Sequence, residues 1–415
     1  YIIPDRGIKT QDSSYTEPFQ VHRIKNIGIV TDYSYENRNR EFSDTTYYKG
    51  YTLYSYDKLK FKPKTLTSTI AIKPGEIFRD QDRSLTYRQL GDLRMFQYPS
   101  ISYSVSADSV NTLDTRILLT PRKKYTLGFD FDSYTSSIQE FGMGFSTNMR
   151  VRNVFRRAEL LEISGRGAIG SSKDAAKSEK FFNISEVGGD VKLSFPRILF
   201  PINLENFIPK SQSPLTSFGL GFSMQNNIGL DRKGVSGRLS YQWEPNEHRT
   251  NIVELLNTQY VRHLNTGNYY HVYKNSYNRL NEIANNSGYH FDNPDYSNSK
   301  LDIPGEVQDF IKLALENPEQ IGISESQRQE VQSIAERHRR LTENNLIIAT
   351  NYTWIRDSRK NILDNNFTRV QVKLESAGGV MSLLSRLGNA KKNDMGQYNP
   401  FGVVFSQYAK IGSLQ

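Results

Sequence analysis

The chain has 415 residues, enough for two or more domains, and 37% of them are hydrophobic. It contains no cysteine, which excludes disulfide frameworks, thiolate metal sites and cysteine nucleophiles, and no apolar run of roughly 20 residues, which excludes a helical membrane protein but not a membrane barrel of alternating strands. The net charge of +9 comes from scattered Lys and Arg with no compact basic patch, so it reads as a solvated surface and no nucleic-acid partner is expected.

The opening at Tyr1, without Met or a signal peptide, reads as a mature or trimmed chain. Residues 1–19 look like a linker or the end of a preceding domain. Residues 20–123 form a separate unit. A strand pattern, HRIKNIGIVTDY, comes first. A helix is expected over 62–70, and Ile72 to Glu76 (IKPGE) makes a turn. A second helix places Leu85, Leu90, Leu93 and Phe96 on one face. Two alternating strands close the unit, one carrying Ile101, Tyr103 and Val105, the other Leu113, Thr115, Ile117 and Leu119. The order is β-α-α-β-β.

From 124 onward, segments of about ten residues alternate apolar with small or polar side chains. Phe141, Met143, Phe145, Met149 and Val151 interleave with Gly142, Gly144, Ser146, Asn148 and Arg150. Val187, Val191, Leu193 and Phe195 interleave with Gly188, Asp190, Lys192 and Ser194. Leu239, Tyr241 and Trp243 alternate with Arg238, Ser240 and Gln242, and Val370, Val372 and Leu374 with Arg369, Gln371, Lys373 and Glu375. A period of two sends the sets to opposite faces. Strands of about 9 to 11 residues suit a tilted membrane crossing, whereas soluble sheets favour about 5 or 6. The 25 Tyr and 22 Phe fit pleated surfaces.

Nine strands are expected, over 124–135, 141–154, 158–170, 183–196, 215–228, 234–243, 344–358, 367–384 and 402–412. Single-chain bacterial barrels usually have an even number, and an open edge cannot sit unsatisfied in lipid. The expected barrel is therefore incomplete within this chain. Between the sixth and seventh strands, 244–343 reads as a long insert with helices over 304–316 and 324–341. Ser324, with Gln327 three residues on, has the form of a capping box. Strand parity puts the insert at the same end as the N-terminal unit, unless 252–264 (IVELLNTQYVRHL) is itself a full strand.

Some motifs point to other chemistry. Gly165 to Gly170 (GRGAIG) fits G-x-G-x-x-G, but a dinucleotide site needs that motif to open a helix after a strand. Here it lies inside an alternating strand, and its glycines are expected to relieve crowding in the sheet. His22, His248, His263, His271, His290 and His338 show no i, i+4 pairing. No metal site, cofactor site or catalytic residue is expected. Asp130 and Asp132 share one face of a strand, polar if Leu127, Phe129 and Phe131 face lipid. The reading is a protein that is not an enzyme.

A β-α-α-β-β unit feeding a barrel resembles the POTRA-plus-barrel arrangement of the BamA/TamA outer-membrane assembly superfamily. IKPGEIF (72–78) resembles the loop between POTRA helices, and TYRQLGDLRMF (86–96) the second POTRA helix. NMRVRNVFRRAELLE (148–162) is similar to the family's second strand, turn and third strand. FPRILFP (195–201) resembles a segment of the TamA-like lipoprotein branch, TamL, of Bacteroidota. The family's V-R-G-[FY] loop-six signature does not occur here.

The resemblance implies a mainly β fold: one periplasmic POTRA domain before about nine of sixteen barrel strands in the outer membrane. It implies a lateral gate on the first strand, with Tyr125, Leu127, Gly128, Phe129, Asp130, Phe131 and Asp132. It also implies a client-docking edge on the POTRA strands, with Ile101, Tyr103, Val105, Ile24 and Ile27. The implied partners are unfolded outer-membrane or surface-exposed client proteins and the lipid bilayer, with room for a periplasmic or inner-membrane partner protein. Insertion or export of clients would need no covalent chemistry. A porin-like channel or transporter is the alternative, then a soluble β-rich adhesin or binding protein.

Overall fold

The computed structural model describes residues 21–106, 111–135, 141–171, 184–204, 206–226, 231–291, 300–359 and 364–377. The expected linker 1–19 and the expected strand 402–412 lie outside them, as does the expected strand 367–384 beyond Ala377.

The N-terminal α+β unit holds β1 (Arg23–Val30), β2 (Asp44–Tyr48), β3 (Tyr51–Ser55), α1 (Pro63–Thr67), α2 (Asp80–Asp92), β4 (Ser100–Val105) and β5 (Thr112–Leu118). The β2–β3 hairpin is absent from the order expected above. Lys49 and Gly50 form its turn with φ of 51° and 83°, as a tight two-residue hairpin requires. The strand order is β2-β3-β1-β5-β4. Strand β1 is parallel to β3 on one side and to β5 on the other. Its apolar residues meet Leu66, Leu90, Leu93 and Phe96 in one core.

The second sheet has nine antiparallel strands: β6 (Tyr125–Tyr134), β7 (Phe141–Arg152), β8 (Leu160–Ser171), β9 (Ile184–Phe195), β10 (Leu215–Asn226), β11 (Asp231–Asn246), β12 (Arg249–Leu264), β13 (Asn345–Asp357) and β14 (Arg369–Ala377). Each pairs with its sequence neighbours, β6 and β14 ending the sheet. The fold is thus mainly β, and among the described residues no helix is long and apolar enough to cross a membrane.

Strand β12 corrects the expected layout. Residues 252–264 pair with β11, and 252–261 with β13. The insert is therefore 265–344 rather than 244–343, and it follows the seventh strand of the sheet. Parity then moves it to the sheet end opposite the N-terminal unit. It holds α3 (Tyr269–Val272), α4 (Lys274–Asn285), α5 (Gly305–Glu316), α6 (Pro318–Ile321) and α7 (Glu325–Thr342). The expected capping box is present, with Ser324 Oγ accepting from Gln327 N and Gln327 Oε1 accepting from Ser324 N. Tyr269, Leu280, Val307, Phe310 and Val331 build a core of its own.

Candidate functional site: a sheet edge above a docked domain

Alternation gives the nine-stranded sheet two unlike faces. On one, Leu127, Phe129 and Phe131 of β6 are exposed, Phe131 by 69%. Phe145, Ile163, Val191, Leu220 and Val235 continue that exposed apolar face across β7 to β11. Both Trp residues lie on it near the end by the N-terminal unit, Trp243 and Trp354 each opposite Asn251. The helical insert differs: among its described residues no large hydrophobic side chain is exposed. An apolar surface this extensive marks a partner or membrane contact.

The other face is charged and paired. Arg150 Nε lies 3.2 Å from Glu162, which also faces Lys192 at 3.9 Å. Arg166 bridges Asp190 at 2.7 Å and Glu186 at 3.4 Å. Arg238 meets Glu254 at 3.3 Å, and Asn351 donates to Glu254 at 2.6 Å. Asp130 shares this face and accepts from Ser146 Oγ at 3.3 Å.

Glycines make room for these charges, but not the ones expected. A Cβ on Gly221 would lie 2.5 Å from Asp190 Oδ1, and one on Gly188 would lie 3.0 Å from the Arg166 guanidinium. At Gly165 and Gly167 a Cβ would make ordinary contacts at 3.5 and 3.9 Å. The GRGAIG segment is therefore plain strand within β8, and crowding does not account for its first two glycines. Among the described residues, no group of three side chains is placed to hold a metal ion.

Of the expected gate residues, Tyr125 to Asp132 all lie on β6 and pair only with β7. No strand among the described residues pairs with the other side of β6. The expected docking edge is half displaced. Strand β4, with Ile101, Tyr103 and Val105, is a sheet edge, and Val105 is exposed. Burial pushes the Tyr103 phenol up to about 12, against the pull of Arg83. Ile24 and Ile27 are not on an edge. They lie on β1, the central strand, 2% and 1% exposed. Its backbone is already hydrogen-bonded on both sides, so it offers nothing to a further strand. The second edge of that sheet is β2.

The N-terminal unit is locked to one end of the nine-stranded sheet. Asn153 and Arg156, in the β7–β8 turn, donate to the carbonyls of Lys60 and Leu59 at 2.9 and 2.8 Å. Asn153, Arg156 and Ala158 take φ of 58°, 65° and 62° there, and Ala158 and Leu160 enter the N-terminal core. Glu159 is fully buried, accepting through Oε2 from Phe155 N at 3.1 Å and Arg157 N at 3.0 Å. Its Oε1 has no hydrogen-bond partner and faces Arg197 at 3.7 Å. From α2, Gln89 donates to the Lys210 carbonyl at 2.8 Å in the β9–β10 loop, and Arg88 pairs with Glu247 at 3.7 Å in the β11–β12 turn. Arg152 spans the junction, donating to Arg94 O (3.2 Å), Lys123 O (3.0 Å) and Thr126 Oγ1 (2.7 Å) on β6. The sequence gives no sign of either role: there Arg152 and Glu159 fall at the facing ends of the expected strands 141–154 and 158–170.

Among solved structures, the chain is similar to BamA from Haemophilus ducreyi lacking POTRA domains 1-3, at TM-score 0.42 and 8% identity over 86% of this chain. It is also similar to CdiB from Acinetobacter baumannii (TM-score 0.27, 9% identity) and CdiB from Escherichia coli (TM-score 0.29, 9% identity). These alignments cover 87% and 89% of this chain, and 69% and 71% of the respective CdiB chains. The chain spans 64% of the BamA chain. No family model matches the chain. No curated protein matches it.

Proposed function

We propose that the chain belongs to an outer-membrane factor that inserts or exports client proteins without covalent chemistry. On this reading the exposed apolar face meets lipid, the charged face lines a lumen, and Trp243 and Trp354 lie at the membrane interface, where aromatic side chains concentrate. The N-terminal unit is a POTRA-type domain in the periplasm, and the insert 265–344 stands on the cell-surface side. TamL of Bacteroidota remains the branch that FPRILFP resembles.

One observation carries the proposal: β6 leaves one backbone edge without a partner among the described strands while its base is tied through Arg152 to the N-terminal domain. In the whole protein that edge meets the last barrel strand and parts from it to admit a client. An incoming strand pairs there by backbone hydrogen bonds, which demand little of its sequence. Edge β4 offers a second pairing surface in the periplasm, in place of the buried β1.

The test is a photo-crosslinking residue placed in the full-length protein at Phe129, and separately at Val191 in the middle of the sheet. Client outer-membrane proteins should be captured from Phe129 and not from Val191. Equal capture at both, or none at Phe129 while clients are being assembled, sinks the gate. The charged face with Arg166 and Asp190 favours a second reading, a solute channel. Conductance of the full-length protein, with unchanged outer-membrane protein levels on its depletion, would support that instead.

A further inference from the structure

We propose that the cleft between the N-terminal domain and the charged face of the sheet binds an anionic phospholipid, an inference that rests on the membrane reading above. The cleft measures about 610 Å³. Ligand sites commonly span about 300–1,000 Å³ and favour such domain interfaces.

Its lining combines two chemistries. Lys62 before α1, Lys64 within it, Arg94 after α2 and Arg157 in the β7–β8 turn are among the cations. Among the described residues none of the four forms an ion pair with a carboxylate. The acids that line the cleft are fewer, and two are engaged: Asp92 accepts from Ser213 Oγ at 2.5 Å, and Glu162 holds Arg150. The cations are thus in excess and suit a phosphate group, as in basic pockets that hold lipid headgroups.

Phe200 and Ile202 of the β9–β10 loop also line the cleft, Ile202 being 67% exposed. Their loop is fastened to the apolar face: Tyr241 Oη donates to Leu199 O at 3.0 Å, and the Phe200 and Tyr241 rings meet edge to face at 6.0 Å. The apolar lining therefore runs on into the surface assigned to lipid. A free anion or an acidic peptide would satisfy the cations but leave Phe200 and Ile202 in water. A phospholipid satisfies both, headgroup on the cations and acyl chains toward the outer face.

Native mass spectrometry of the detergent-purified full-length protein, offered phosphatidylglycerol, phosphatidylcholine, inorganic phosphate or a polyglutamate peptide, tests this. The protein should retain phosphatidylglycerol at least tenfold better than phosphatidylcholine, and bind neither phosphate nor the peptide. The double variant Lys64→Glu, Arg94→Glu should lose the preference, and Lys64→Arg should keep it. Glu at position 64 is compatible with the first turn of α1. An unchanged preference in the double variant overturns the proposal. So does binding of phosphate alone, which makes the cleft a free-anion site, or of the peptide, which makes it a client site. Flotation with neutral phosphatidylcholine vesicles separates the two readings. Protein that floats without the lipid preference overturns the cleft alone; protein that does not float overturns the membrane reading and the cleft with it.

Discussion

Glu159 and Arg197 face each other at 3.7 Å across the junction, joining the β7–β8 turn to the β9–β10 loop. Glu159 is fully buried and its other oxygen holds two backbone amides. Removing Glu159 strips two backbone amides of their acceptor and leaves the partly exposed Arg197 without its carboxylate, at a cost on the order of 2 kcal/mol. Glu159→Ala should lower the denaturant midpoint of the refolded protein and open the junction to protease. Glu159→Gln, which can still accept from both amides, should lose less.

Strand parity places the insert and the N-terminal domain at opposite ends of the sheet. The chain has no cysteine, so single reporters can be introduced cleanly. Gln332→Cys on exposed α7 should react with a membrane-impermeant maleimide on intact cells. Glu41→Cys in the N-terminal domain should react only after the outer membrane is permeabilised. The reverse pattern would invert the topology.

His338 packs against the rings of Tyr269 and Tyr270, with centroids 4.6 and 5.2 Å away. Burial holds its pKa below the ordinary value of 6.5. The unfolded chain then takes up this proton more readily than the folded insert. The linked stability is complete above about pH 6.5 and falls away as acidification passes through the depressed folded value. Protection factors in α3 and α7, taken relative to the intrinsic exchange rate at each pH, should be lower at pH 5.5 than at pH 7.5. His338→Phe should remove most of that difference.

The capping box at Ser324 satisfies two groups at the start of α7. Ser324→Ala should destabilise the helix by about 1 kcal/mol, read as faster amide exchange over its first turn. Ser324→Asp should restore protection.

Much of the sheet was legible in the sequence because alternation is a local signal. Strands β6 to β10 fall within a few residues of their expected bounds. Strand β12 was legible only as an alternative, for a physical reason: it bulges at Leu255, where the register slips against both neighbours. The bulge sets Leu255 beside Leu256 and breaks the alternation. The placement of Ile24 and Ile27 failed differently. Whether a strand is central or marginal depends on which distant segments pair with it, here β3 and β5, and nothing in HRIKNIGIVTDY records that. Strand β6 was legible as a strand; the Arg152 bonds at its base and the burial of Glu159 depend on turns that meet only after folding.

The insert's private core bears on how the sheet closes. Strands β12 and β13 are paired, yet the whole of 265–344 separates them in sequence. Closing a flexible loop of that length costs entropy before any strand bond forms. An insert that collapses first on Phe310 and Val331 brings Leu264 and Asn345 close to each other, and a remote pairing becomes nearly a hairpin. On that account the insert acts as a built-in staple for the growing sheet edge, and trimming its core should slow formation of the sheet before it weakens the finished protein.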